Sequence, residues 1–427
     1  MKAKLLQPSS EGALQRRRLI RLVRLPDLEG AKRMAEIAYL CGALSVSRDP
    51  SSQSIGPRAH ISGFLEGLRR NGYEANVYLA GEDNTIPKAL RAGSAGSHGS
   101  PGHRQATARD LARLSVAQYA GWRARRHIRP SAALVYERHA TFQQIGLRRT
   151  DHSVPWVVES NGPFWYEASR ERSNLRLIRT AKKMELECYR QADLVVAVSD
   201  SLRDLIAAEA RLPPDKIVVL PNATDPERFR PQHAIKDRSR RHLVVGFVGY
   251  VAEWAGLDVL FRAVRELDPT GETLRIVVVG HGPARPGLEQ LSSSLGIEAA
   301  VEWTGSVPWH EVPQQMARFD LAYSGQVEME VGSMYHSPQK LYEYQSMGLP
   351  ILASDFADAR TLISSGGWGW LFRPGDVTEL ANRLSQAGGE LPNPDLSASC
   401  RASIVKNHSW ESRVADLLKV LRSTSLL

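Results

Sequence analysis

Ser337-Pro338-Gln339-Lys340-Leu341-Tyr342-Glu343-Tyr344-Gln345-Ser346-Met347-Gly348-Leu349-Pro350 runs directly into Ile351-Leu352-Ala353. Serine is a good helix cap, proline suits the first helical position, and Gly348 with Pro350 ends a helix. The stretch therefore predicts a short helix capped by Ser337, then a buried strand. The start of such a helix offers free backbone N–H groups and the positive end of the macrodipole, so it favours an anion. Lys340 stands one turn in, and Glu343, three residues on, shares its face. A phosphate suits the helix end and Lys340, while Glu343 suits sugar hydroxyls. The same spacing also fits an ordinary surface ion pair.

Outward from this helix, short apolar runs alternate with helical patterns in both directions. After it come a helix over 377–387 and a terminal helix over 409–421. Before it, apolar runs fall at 243–249, 275–280, 301–305 and 321–323, and in the first half at 37–40, 77–79, 133–136, 156–158, 194–199 and 217–222. Strand, glycine loop, helix, strand is the unit of a parallel sheet, and its loops face a cleft at the carboxyl ends of the strands. The reading is α/β: two Rossmann-like parallel-sheet domains across a central cleft. Residues 34–231 form the first domain and 243–407 the second, with a polar linker at 232–242 and a final helix within 408–427. The loop at Gly56 lacks the full dinucleotide glycine pattern, which argues against nicotinamide. Glu137, Arg138 and Asn161 follow strands directly, so they take either cleft roles or loop-capping roles.

The chain of 427 residues is 42% hydrophobic with a formal charge of +9. No apolar run approaches the ~20 residues of a membrane span, and the N-terminus lacks the apolar core of a signal peptide. Cys41, Cys188 and Cys400 are scattered, without disulfide-framework or zinc spacing. A soluble protein of the reducing cytoplasm is expected. The charge suits a phosphorylated substrate, an anionic membrane surface or nucleic acid, and no nucleic-acid motif accompanies it. Within 1–33, Arg16, Arg17, Arg18, Arg21 and Arg24 alternate with leucine, isoleucine and valine. That segment reads as a mobile extension or as a basic helix touching the inner membrane surface.

Gly246-Phe247-Val248-Gly249, Val279-Gly280-His281-Gly282-Pro283, Trp303-Thr304-Gly305-Ser306-Val307, the Ser337 helix and His408-Ser409-Trp410-Glu411 occur in an order and spacing that resemble the retaining GT-B glycosyltransferases, specifically family 4 in its Ser-Pro-x-Lys subset. In the first half Gly56 to Ile61, Tyr136-Glu137-Arg138, the run 192–199 and the run 220–229 agree, so the resemblance covers about residues 36 to 425. It implies a nucleotide diphosphate sugar donor of UDP or GDP type in the second domain and a small-molecule or glycan acceptor in the first, with neither cofactor nor metal. Lys340 would meet the diphosphate and Glu343 the ribose. Ser337, Pro338, Gly249, Tyr250, Gly280, Gly282, Gly305, Ser306, Val307, Tyr335 and Gly56 would line the donor. His60, Glu137, Arg138 and Gly162 would face the acceptor.

The sequence departs from the family pattern at three places. Tyr335 stands where the first glutamate of a pair is usual, Tyr250 and Ala255 replace an arginine and a lysine, and Asn161 occupies the register of a first-domain histidine. With two cations missing, Arg58 becomes the candidate to reach the donor from the opposite domain. Two rival readings remain: a catalytically silent nucleotide-binding subunit, and a membrane-surface transferase with a lipid-linked acceptor.

Overall fold

The computed structural model describes residues 35–49, 55–87, 103–169, 175–231, 242–328 and 334–427. The basic segment 1–33, the Gly/Ser-rich stretch 93–102 and residues 232–241 of the expected linker lie outside them. Residues 35–427 form one compact unit.

Two six-stranded sheets, all parallel, organise that unit. The first holds β1 (Ala35–Cys41), β2 (Tyr73–Leu79), β3 (Ala132–Arg138), β4 (Trp156–Ser160), β5 (Leu194–Ala197) and β6 (Ile217–Val219), in the order β2-β1-β3-β4-β5-β6. The second holds β7 (Leu243–Val248), β8 (Leu274–Val279), β9 (Val301–Gly305), β10 (Leu321–Ser324), β11 (Ile351–Ser354) and β12 (Gly369–Phe372), in the order β12-β11-β10-β7-β8-β9. The strands are near-continuous apolar runs because helices cover both faces of each sheet. Strand order reverses between β1 and β3 and between β7 and β10, so each sheet has a switch point where a crevice opens at the strand ends.

The helices are α1 (Ile55–Arg70), α2 (His103–Arg125), α3 (Phe164–Ser169), α4 (Ile178–Gln191), α5 (Asp200–Ala210), α6 (Leu257–Leu267), α7 (Arg285–Ser294), α8 (Val312–Met316), α9 (Gln339–Ser346), α10 (Ala357–Ser364), α11 (Val377–Glu390), α12 (Pro394–Asn407) and α13 (Trp410–Ser423). Helix α13 buries Trp410, Val414, Leu417, Leu418 and Leu421 in the cluster formed by Tyr39, Phe64 and Tyr136 of the first sheet's layer. The Trp410 indole lies so close to Gly63 of α1 that a Cβ there would meet it at 2.1 Å. The last helix is thus built into the first domain's core. No helix among the described residues is long and apolar enough to cross a membrane.

Three local expectations are corrected. Gly56, Pro57 and Arg58 lie in the first turn of α1, not in a loop. Glu137 and Arg138 are the last two residues of β3, in register with Val158 and Glu159. Helix α9 starts at Gln339 with Pro338 as its cap residue and no side-chain cap bond. The Ser337 hydroxyl is used elsewhere, accepting from Asn222 N at 2.9 Å and bonding the Asp358 carboxylate. A tertiary partner has displaced the local cap.

Candidate functional site

Helix α9 points its start at the carboxyl end of β7. Lys340, one residue inside, is half-buried, with its Nζ 3.9 Å from the centre of the Phe247 ring. A Cβ on Gly249 would sit 3.2 Å from that nitrogen, and Gly249 itself adopts φ +144°, so only glycine leaves room for the amine at this strand end. Burial pushes the Lys340 amine down to about 7, opposed by the charge of Glu343. Burial likewise pushes the Glu343 carboxyl up to about 7, opposed by Lys340, by the Gln339 amide that donates to it at 3.1 Å, and by Arg228. The two groups do not form a direct ion pair within 4 Å; each is held near neutrality, where a ligand's charge decides its state.

Arg228 carries further charge to the same place. Its guanidinium lies 3.6 Å over the Trp309 ring, and Arg58 of α1 approaches that ring at 5.8 Å. Arg58 is 3% exposed and donates to the Asp49 carbonyl at 2.8 Å. Burial lowers its pKa, as does the neighbouring Arg228. Arg58 therefore joins two readings that the sequence held apart, capping a loop carbonyl and standing beside the second domain's Trp309. Arg228 was missed; its signal was a position inside the quoted run 220–229.

Glycine has a packing reason at the neighbouring strand ends. A Cβ at Gly280 would strike the Gly249 carbonyl at 1.9 Å, and one at Gly282 the Val251 carbonyl at 2.2 Å. Gly305 has φ +75° with open space beside it, Ser306 is exposed and Val307 partly buried. Tyr250 is 60% exposed beside Gly249. Ala255 is buried in the second domain's core, so in this chain position 255 does not face the cleft.

The first-domain residues gather on Glu159, which the sequence reading passed over. Arg138 donates to Oε1 at 2.6 Å, Tyr136 to Oε2 at 2.7 Å, and the Asn161 amide also donates to Oε1. His60 Nε2 lies 2.9 Å from Oε1, close enough for a protonated ring to pair with it. Burial alone would raise this carboxyl, but His60 and Arg138 hold it well below the usual range. His60 Nδ1 is 2.7 Å from the Asn222 Oδ1, and the Asn222 amide donates to the Ser337 carbonyl at 2.5 Å. A polar chain therefore runs from Glu159 to Ser337, two residues before α9.

Two expected contacts fail. Glu137 is fully buried and accepts from the backbone N–H of Ile145 and Gly146 at 3.2 and 2.7 Å. It caps a loop and does not face an acceptor. The Tyr335 ring is 1% exposed among first-domain side chains, and its carbonyl accepts from Ser199 Oγ at 2.6 Å. Tyr335 is a plug between the two halves, not a donor-facing ring. Gly162 lies beneath it, where a Cβ would meet Glu167 at 2.0 Å and Tyr335 at 3.2 Å.

Residues 56–228 match the domain described as Glycosyltransferase Family 4, and residues 242–388 match Glycosyl transferases group 1. The chain is 31% identical over 246 residues to a D-inositol 3-phosphate glycosyltransferase of Stackebrandtia nassauensis, covering 52% of this chain and 54% of that protein. It is 28% identical over 200 residues to the putative colanic acid biosynthesis glycosyltransferase WcaL of Salmonella typhimurium, covering 47% and 48%. The matches thus span about half the length of these relatives. Among solved structures, Anabaena HepE in complex with UDP and glucose superposes with a TM-score of 0.61 at 18% identity, over 91% of this chain and all of that one. Sucrose-phosphate synthase from Thermosynechococcus elongatus gives 0.65 at 15% identity, over 91% and 98%. At such identities the likeness is one of fold. With its two parallel sheets and their switch-point crevices, the chain is a Glycosyltransferase Family 4 domain followed by a Glycosyl transferases group 1 domain, in the GT-B architecture.

Proposed function

We propose that the protein is a retaining glycosyltransferase that moves a sugar from a nucleotide diphosphate sugar to a small-molecule or glycan acceptor. The observation that carries this reading is the gathering of cations around α9 and the neighbouring Trp309. Lys340 lies there beside Gly249, and Arg228 and Arg58 flank Trp309 with Glu343 in reach of Arg228's charge. UDP is favoured over GDP because the structural neighbour HepE was solved with it.

In the reaction the anomeric C1–O bond to the diphosphate breaks and a C1–O bond to the acceptor forms on the same face. The acceptor's hydroxyl proton passes to the departing phosphate, which leaves as nucleoside diphosphate. No protein nucleophile is needed. Charge grows on the leaving diphosphate, so the half-buried Lys340 amine and the start of α9 stabilise the transition state more than the ground state. Glu343 accepts hydrogen bonds from the donor's ribose, and Arg58 brings the first domain to the donor. The Glu159 cluster holds Asn161 and His60 at the acceptor side. Thermal-shift screening with free nucleotides, followed by nucleoside diphosphate release from the matching sugar donors, tests the reading; no stabilisation by any nucleoside diphosphate would sink it.

A silent nucleotide-binding subunit is the second reading, favoured by the neutral Tyr250 and Ala255. It predicts stabilisation by nucleotide without transfer to any acceptor.

A further inference from the structure

Helix α2 turns an unusual face to solvent. Every exposed position between 106 and 126 falls on one stripe: Ala108, Leu111, Ala112, Ser115, Tyr119 and Trp122, then Arg126. Steps of three and four residues put them in one row along the helix. Leu111 is 52% exposed, and Tyr119 and Trp122 are each 42% exposed. The outward side of a surface helix is ordinarily its polar side, yet here the only charge is a cation at the end. The opposite side, with Ala117, Ala120 and Ala124, is already committed to the core.

Cations outnumber acids along the helix, although Arg113, Arg123 and Arg129 are paired with Asp110, Asp83 and Glu36. Residues 103–129 contain seven arginines against the single Asp110. That aspartate is fully buried, accepting from the backbone N–H of Arg176 and Leu177. The Arg126 guanidinium stacks 3.7 Å over the Trp122 ring, and the Tyr119 and Trp122 rings lie 5.8 Å apart. Leucine, tyrosine and tryptophan framed by arginine, without an exposed acid, match the chemistry of a bilayer interface. Aromatic rings with polar edges suit the headgroup level, and arginine suits lipid phosphate. A protein partner of ordinary composition would bring positive groups that this face repels, whereas an anionic leaflet attracts Arg109 and Arg126, which no acid among the described residues pairs within 4 Å, at about 1 kcal/mol for each one near the surface.

We propose that the outward stripe of α2, from Leu111 to Arg126, seats the protein on an anionic lipid bilayer, independently of the donor-site reading. Co-sedimentation of the full chain tests it, with vesicles of phosphatidylcholine mixed with phosphatidylglycerol and with phosphatidylcholine alone. The wild type should bind the mixed vesicles and lose them as salt rises. L111E/W122E should bind at least about tenfold more weakly, the order expected when an apolar anchor becomes an anion beside an anionic surface. The milder Y119S/W122S should fall between. Thermal midpoint and nucleotide affinity should stay at wild-type values in both, separating lost contact from lost fold. In the full chain, replacing Arg16, Arg17, Arg18, Arg21 and Arg24 by glutamine should leave at least half of the binding. Three results would overturn the proposal. One is equal sedimentation of L111E/W122E and wild type, with binding lost only in the five-glutamine variant. A second is equal binding to both vesicle types. The third is no vesicle binding but a concentration-dependent dimer that L111E/W122E abolishes.

Discussion

The two halves of the cleft treat buried charge in opposite ways. Around Glu159 the charges are committed: Arg138, His60, Tyr136 and Asn161 close on one carboxylate. Around α9 they are held in suspense, with Lys340 and Glu343 both brought near pH 7 by burial and each lacking a direct ionic partner. A satisfied buried cluster fixes geometry, whereas a half-neutralised pair waits for a charged ligand. The first-domain cluster is therefore a frame, and under the proposed function the α9 pair is what meets the donor.

Breaking the frame should give the largest effect. Glu159→Ala leaves Arg138 buried without its counter-charge, and removing one partner of such a pair costs about 3–5 kcal/mol. Chemical denaturation should show that loss, and Glu159→Gln should recover part of it by keeping hydrogen-bond acceptance. A loss below about 1 kcal/mol in the alanine variant would mean that the cluster is not holding the fold.

Lys340→Ala should reverse that pattern. Activity should fall about a hundredfold or more in kcat/KM, the scale for removing one preorganised stabiliser of developing charge. Stability should hold or rise, since an amine whose pKa burial depresses disfavours the folded state at neutral pH. Glu343→Gln should chiefly raise the donor KM. Retention of more than half the activity in Lys340→Ala would displace the diphosphate from α9.

Arg58 and Arg228 sit between the two patterns. If Arg58 meets the donor as the cleft closes, Arg58→Ala should lower kcat by about tenfold with a smaller change in nucleotide affinity. Arg228→Ala should weaken both together, because the charge of Arg228 reaches Glu343. Isothermal titration beside steady-state kinetics separates the two cases, and an unchanged kcat in Arg58→Ala would strengthen the silent-subunit reading.

The contrast also explains what was legible in the sequence. Lys340 and Glu343 share one helix, so spacing alone placed them together, and Gly249 and Gly280 stood out because glycine ends apolar strand runs. Glu159 gathers partners from β3, β4 and α1, and no local spacing reports a meeting of that kind. Ser337 read as a cap because the sequence cannot show that Asn222 and Asp358 claim its hydroxyl. Tyr335 read as a donor residue by register, whereas packing draws its ring into the other domain. Helix α12 went unseen because it buries only Cys400 and Ile404, too few for a periodic signal. The strand pattern survived at every strand but β12, which starts among glycines that read as a turn, because parallel strands buried on both faces are mostly apolar.

The smallest effect is the most direct probe of the suspended pair. In the free protein at pH 8 the Lys340 amine, held at about 7, is mostly neutral, and Glu343, also at about 7, is mostly ionised. A diphosphate placed beside the amine favours its charged form and raises its pKa above the solution pH, so binding must draw a proton from solvent. Calorimetry of UDP binding at pH 8, in buffers of different ionisation enthalpy, should show uptake on the order of one proton. Affinity should accordingly weaken as pH rises above 7, because protonating the amine then costs progressively more of the binding energy. Lys340→Ala should abolish most of the uptake and Glu343→Gln should keep most of it, which separates the amine from the carboxyl as the site of the proton. The Glu159 cluster, whose charges are already paired, should contribute none. Full uptake in Lys340→Ala would mean that the proton lands elsewhere and that Lys340 is not the group recharged by the donor.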